Sequence, residues 1–231
     1  MSFGSGKLDV SFAQEILEDE KHKDVVSGLL DGSVNWYAEA AKPLKDELRV
    51  ALRQASEERC VYCRRIPVVD PRTNASEHVE HFLDKSKEKY KRFIVSPFNL
   101  SISCNSCNIQ KKTKDMLLAD IDENSIPPTQ CGQYHWLHPC YDDYFENIQI
   151  DKGWVYSIKH QAPAAAAAKN LIDECRLIVI SEIEERKNAE VDSVFDEVLE
   201  CMLNWKDDPN STAEKVSSIM GRAREEVWKN I

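Results

Sequence analysis

Between Cys60 and Lys112 the chain gathers residue types that bind metal ions and hydrolyse esters. Cys60-Val-Tyr-Cys63 and Cys104-Asn-Ser-Cys107 are two CxxC turns. Each turn can place two thiolates on one ion, and two turns complete the tetrahedral cage that zinc prefers. Such a cage leaves no position for water, so the expected site is structural. The long insert between the pairs means that a small domain must fold inside it. That insert carries Glu80, His81 and Asn99, and Asn108 follows the last cysteine. A histidine titrates near neutrality and can take a proton from water. Glu80 is a hard oxygen ligand, and Asn108 offers an amide oxygen. Magnesium needs only one or two protein oxygens besides waters and a substrate phosphate. The chemistry these residues suit is hydrolysis of a phosphodiester.

The set makes demands on its surroundings. Neighbouring side chains of a strand point to opposite faces. Glu80 and His81 can therefore meet at one phosphate only if the strand ends or bends there. Lys85, Lys87, Lys89, Lys91 and Arg92, with Lys111, Lys112 and Lys114, are the main basic clusters. A charge run is often a solvated face. Beside a nuclease site in an acidic protein, Lys85, Lys87, Lys89, Lys111 and Lys112 are expected to track the phosphates. His78 is expected to be a surface residue.

The elements that must hold this set are mostly helical. Residues 1–56 form an N-terminal helical region. After a flexible leader at 1–10, Ser11-Phe-Ala-Gln14 reads as a capping box. Trp36, Tyr37, Leu44, Leu48 and Leu52 recur at helical steps from Val34 to Ala55. Pro43 predicts two helices meeting near residue 42. Residues 57–119 form the core: a loop at Pro71–Ala75, a strand from Val79 to Leu83, a basic loop or helix to Arg92, and a helix from about Cys104 to Leu118. Residues 120–160 are irregular apart from a candidate strand, Trp154–Ile158, after a turn at 151–153. Residues 161–231 form a C-terminal helical region. It opens at Pro163 and the alanine run, is interrupted at Asp207–Asn210, and resumes from a second capping box at Ser211 to Trp228.

Composition narrows the class. The chain has 231 residues, 30 basic and 40 acidic, for a net charge of −10. That balance argues against a protein that grips DNA over its whole surface, but not against a local basic strip. No apolar run is long enough for a bilayer, and the N-terminus lacks a signal-peptide profile. The expected location is a reducing cytoplasm, where paired CxxC spacing among the eight cysteines favours metal over disulfides.

Cys60-x-x-Cys63, Glu80-His81-Phe82, Asn99-Leu100, Cys104-x-x-Cys107-Asn108 and Lys112 together resemble the zinc-knuckle HNH endonucleases with a ββα-metal core. The resemblance spans roughly residues 57–118, about a quarter of the chain. It implies an α+β, mostly helical fold in which a small ββα core is embedded in N- and C-terminal helices. His81 matches the general base, Asn99 the middle asparagine that holds the loop and orients the base, and Asn108 the third motif position. Glu80 stands where Asp or His is more frequent as metal ligand. With Asn rather than His at the third position, the resemblance implies Mg2+ or Mn2+ at the catalytic site beside structural Zn2+. DNA is the implied substrate, and the residues leave RNA open.

More loosely, His138-Pro139 and Asp142-Asp143 after the core make the chain similar to HNH effectors that accompany an ATPase in Septu- and retron-type anti-phage systems. The longer N-terminal extension departs from them. A zinc-organised nucleic-acid-binding or interaction subunit without catalysis fits the same residues. Cys131, His135, His138 and Cys140 have ligand types at close spacing. An irregular loop packing Tyr134 and Trp136 on the core is the expectation there, with a second zinc site as the alternative. The C-terminal helices can pack on the core, self-associate or dock a partner. Cys175 and Cys201 lie in helical patterns and are expected to be buried.

Overall fold

Leu44, Leu48 and Leu52 fall on one side of α3 (Lys42–Ala55), and none is exposed. Each such side chain contributes about 1.5–3 kcal/mol on burial. They meet Ala13 and Leu17 of α1 (Ser11–Glu18), Leu29 of α2 (Lys23–Asp31) and Trp36 in one core. Pro43 sits in the first turn of α3, where its missing N–H costs nothing. A short 3-10 turn, Glu39–Ala41, precedes it. Helix α3 thus begins at residue 42, but the helix expected before it from Val34 is not formed: residues 34–38 are turn and bend. The computed structural model describes residues 3–67, 77–122, 125–203 and 209–229, and statements about what is absent refer to these. The loop expected at Pro71–Ala75 and the start of the interruption expected at Asp207–Asn210 lie outside them.

The same core takes in Leu100 and Ile102 of a second layer, a two-stranded antiparallel sheet. Strand β1 (Glu77–His81) pairs with β2 (Leu100–Cys104), from Glu77 opposite Cys104 to His81 opposite Leu100. Alternation gives the sheet two uses. Glu77, Val79 and His81 share the face that packs on α3, where Arg53 donates to Glu77 at 2.9 Å. His78 and Glu80 share the other face with α4 (Asn105–Lys111), which follows β2 directly: His78 contacts Asn105 at 3.0 Å, and Glu80 contacts Lys111. Further on come α5 (Tyr144–Asn147), a hairpin of β3 (Ile148–Asp151) and β4 (Val155–Ile158), and α6 (Ala165–Glu174). About half of the chain is helical, so the fold is α+β. No described helix is long and apolar enough to cross a membrane.

Contacts divide the chain into two compact units, residues 1–151 with 155–178, and 152–154 with 179–231. The second consists largely of α7 (Ile178–Leu203) and α8 (Pro209–Lys229), between which Arg222 pairs with Glu197 at 2.6 Å.

Several local expectations are corrected. Residues 5–10 are a docked segment rather than a loose leader. Leu8 N–H donates to the Pro139 carbonyl at 2.8 Å, Tyr144 N–H to that of Gly6 at 2.9 Å, and Leu8 and Val10 are buried. Gly6 is needed there, because a β-carbon would collide with the Asp143 carboxylate. Neither capping box forms. Ser11 is already helical, with Asp9 accepting its N–H at 3.0 Å, and α8 begins at Pro209, two residues before Ser211. The helix expected to reach Leu118 stops at Lys111. Lys112 turns to a left-handed φ of 50°, and Leu117 is drawn into a β-bridge with Tyr134. The helical run expected from Pro163, with room for a break, divides between α6 and α7, where Arg176 has a φ of 53°. The strand expected at 79–83 is offset to 77–81; beyond it Phe82 N–H donates to the Asn99 carbonyl at 2.9 Å and Leu83 N–H to the Asn99 side chain at 2.6 Å. Strand β3 is the partner of the strand expected near 154–158.

Candidate metal centre and catalytic cleft

Cys60, Cys63, Cys104 and Cys107 come together with their sulfurs within 4.8 Å of one another. Tetrahedral zinc at 2.3 Å per bond would set its sulfurs about 3.8 Å apart, and those of Cys63 and Cys104 are 3.8 Å apart. The scaffold holds both halves. Val61 N–H donates to the Ile102 carbonyl at 3.0 Å, fastening the first turn to β2. The Tyr144 hydroxyl donates to the Tyr62 carbonyl at 3.0 Å and that of Tyr156 to the Cys63 carbonyl at 2.7 Å. Cys104 and Cys107 straddle the junction of β2 and α4. Without a cation such a cluster must hold protons: hydrogen bonding to Cys104 pushes Cys63 and Cys107 well above the ordinary thiol range. Cys104 is pulled far below it, above all by Cys107. A metal ion replaces those protons. Donor type, number and spacing all fit zinc.

A cleft of about 370 Å³ lies beside this centre. His81 and Glu80 both line it, although they start from opposite faces of β1. The β1–β2 pairing runs to His81, whose ring packs against Trp36, while Glu80 faces Lys111 of α4. Asn108 and Lys111 enter from α4, one turn beyond the cysteines, and Asp84, Lys85 and Lys112 complete that side.

The His81 ring is buried edge-on against Trp36, with centroids 4.5 Å apart. Its Nε2 lies 2.9 Å from the Ile94 carbonyl. A carbonyl only accepts, so Nε2 carries the proton and Nδ1 the lone pair. Nδ1 has no protein partner. Burial, and then the charges of Lys85 and Lys111, lower the pKa of His81 to about 3, against the pull of the Ile94 bond. The imidazole is therefore neutral at physiological pH.

Asn99 stands behind this arrangement rather than in the cleft. Its Oδ1 accepts from Leu83 N–H at 2.6 Å, and its Nδ2 donates to the carbonyls of Leu83 at 3.1 Å and Phe93 at 2.9 Å. It clasps the two ends of the β1–β2 connection and fixes the residue next to Ile94. This is the loop-holding role expected of it.

Glu80 is buried, and burial raises its pKa while Lys111 opposes the shift. Lys111 Nζ lies 2.6 Å from Glu80 Oε1, yet that oxygen has no hydrogen-bond partner. The ammonium is thus an ion-pair partner met at an unfavourable angle. It also donates to the His81 carbonyl, at 2.8 Å.

The basic residues separate. Lys85 and Lys112 line the cleft, with Lys85 5.2 Å from the Tyr37 ring. Lys111 is only 2% exposed and cannot belong to a surface track. Lys89 and Lys87 turn to Asp115, at 2.8 and 3.5 Å, so part of their charge is already matched. The cleft also receives Lys45 and Arg49 of α3, and His78 lines it too. The only sequence signal for the α3 pair was their position beside the Leu44-Leu48-Leu52 stripe.

Cys131, His135, His138 and Cys140 do not assemble a metal site. Among the described residues, the knuckle is the only group of three or more candidate ligands. His135 pairs with Glu174 at 2.7 Å. His138 stacks on Tyr141 at 4.2 Å and packs against Phe82 at 4.4 Å. Cys131 is exposed, and Cys140 faces the Phe98 carbonyl. Asp142 accepts from the N–H groups of Gly132 and His138, and Asp143 caps α5. Cys175 is buried as expected, whereas Cys201 is only half-buried. In comparisons with family models, curated proteins and solved structures, no match to this chain was found.

Proposed function

We propose that this chain is a metal-dependent HNH endonuclease with a ββα-metal core, whose knuckle holds structural zinc. The observation that carries this is the state of His81. A neutral imidazole, its Nε2–H anchored on the Ile94 carbonyl and its Nδ1 buried without a partner, lines one cleft with a carboxylate, an amide and lysines. In this role a small shift of the ring or its cover admits water to Nδ1, which takes its proton, and the Ile94 carbonyl holds the imidazolium that results. The low basicity of His81 reflects burial first and the charges of Lys85 and Lys111 second. A phosphodiester bound at Lys85 would offset part of the second cause and raise His81 in the direction a base requires. Glu80 and Asn108 are the oxygens that would hold Mg2+ or Mn2+. Such an ion supplies Lewis-acid charge to the scissile phosphate. Lys85 and Lys112 would bind flanking phosphates of DNA.

The Septu- and retron-type resemblance extends the proposal to a cytoplasmic anti-phage effector working with an ATPase. Its support is the His138-Pro139 and Asp142-Asp143 pattern, residues that here build the loop packed on the core. A second reading, a zinc-organised binding or interaction subunit without catalysis, draws on the Glu80–Lys111 pair, which already engages the carboxylate.

The test is cleavage of DNA by zinc-loaded protein with Mg2+ or Mn2+. His81→Ala should lower the rate about 10²–10⁴-fold while zinc content and folding persist. Cleavage at the wild-type rate in that variant would remove His81 from the mechanism. DNA binding without cleavage, with either metal and with an ATPase partner added, would favour the second reading.

A further inference from the structure

We propose that Lys111 is a built-in counter-ion that holds Glu80 until a divalent cation takes the carboxylate, so that the lysine contact and metal binding exclude each other. This rests on the reading of Glu80 as a metal ligand. The side chains of Lys111 and Glu80 are 2% and 6% exposed. Neither charge would be tolerated there alone. The pair is close but not ideally aligned: Lys111 gives one of its three N–H donors to the His81 carbonyl, and Glu80 Oε1, 2.6 Å from the ammonium, has no hydrogen bond of good geometry. A carboxylate oxygen left in that state is better served by a divalent cation, whose attraction needs no aligned hydrogen.

The surroundings permit the exchange. Lys111 is the last residue of α4, whose first turn is tied to the knuckle through Cys104 and Cys107. The four-carbon stem can therefore move while the backbone stays in place. The cleft that both residues line gives the ammonium somewhere to go, beside the region where a substrate phosphate would lie. Glu80 thus remains compensated at every stage, first by lysine and then by metal. Without Lys111, Glu80 would be an unpaired buried charge whenever metal is scarce.

The experiment uses the full zinc-loaded chain without DNA. Amine acetylation read by mass spectrometry should find Lys111 protected in metal-free buffer and labelled in saturating Mn2+. Lys111→Gln keeps a donor for the His81 carbonyl but removes the charge. It should bind Mn2+ about tenfold more tightly, or better, than wild type, as expected when an internal competitor is deleted. Equal protection of Lys111 with and without Mn2+, or unchanged or weaker Mn2+ affinity in Lys111→Gln, would overturn the exchange. Should Lys111→Gln fail to fold, labelling of the wild type decides alone. Glu80→Gln separates the two levels. Mn2+ binding that survives it would overturn Glu80 as a metal ligand. Binding that needs Glu80 but leaves Lys111 protected overturns only the exchange.

Discussion

Asn99→Asp is a nearly isosteric change that should damage both stability and catalysis. The side chain is 3% exposed and makes three hydrogen bonds. The orientation of the amide is set by its partners: an N–H must face Oδ1, and two carbonyls must face Nδ2. Asn99→Ala leaves the Leu83 N–H and carbonyl without a partner, while the Phe93 carbonyl keeps the Ser96 N–H at 3.1 Å. At about 1–3 kcal/mol for each orphaned group, incompletely additive, the loss is about 2–4 kcal/mol. Asn99→Asp keeps the bond from Leu83 N–H but turns a carboxylate oxygen toward both carbonyls, in a site with no cation on it. Its loss should equal or exceed that of alanine. Because Phe93 adjoins the Ile94 carbonyl that anchors His81, the surviving folded protein should also cleave more slowly, by roughly 10–10²-fold, as for a small misplacement of a catalytic group. Urea unfolding of zinc-loaded protein and single-turnover cleavage measure the two effects. An Asn99→Asp variant within about 1 kcal/mol of wild type would refute the hydrogen-bond accounting. A destabilised variant that cleaves at the wild-type rate would refute the link from Asn99 to His81.

Other consequences follow from the same geometry. Removing zinc should free α4, which carries Asn108 and Lys111, before it loosens the Leu44-Leu48-Leu52 core. Hydrogen exchange should then show lost protection over 105–111 with protection retained in α3, and unchanged exchange in α4 would show that the knuckle does not hold it. His138 is enclosed, and burial lowers its pKa from 6.5 to about 3. The unfolded chain therefore takes the proton first, so this group's contribution is full above about pH 6.5 and falls by about 1.4 kcal/mol per pH unit toward pH 3. Replacing it, as in His138→Phe, should flatten the pH dependence of urea stability by that amount between pH 6 and 5, and parallel curves would contradict the assignment. Lys85→Ala and Lys112→Ala should each reduce the salt dependence of DNA binding by about one phosphate contact. Lys89→Ala should change it less, since Lys89 is engaged with Asp115. Equal effects at all three would mean that the cleft is not the phosphate path.

The cysteine spacing and the α3 stripe were legible because both are local. A CxxC turn brings two sulfurs together wherever it folds, and leucines four apart share a helix face in any context. The same locality let His81, Glu80 and Asn108 be singled out by residue type and order. The roles of Lys111 and Lys112 were beyond it. They are adjacent, alike in chemistry and drawn from one basic cluster, yet one is sealed against Glu80 and the other is exposed. That difference arises where α4 ends and the chain reverses, and Glu80 lies thirty-one residues away. Likewise Lys45 and Arg49 reach the cleft only because α3 packs on β1, and residues 5–10 are ordered only because Pro139 and Tyr144 meet them. Sequence by itself determined which groups could do chemistry and which short segments would present them. Tertiary structure decided which nitrogen of His81 carries the proton, which lysine is buried and what lines the cleft, because each depends on a partner brought near by the fold rather than by the chain.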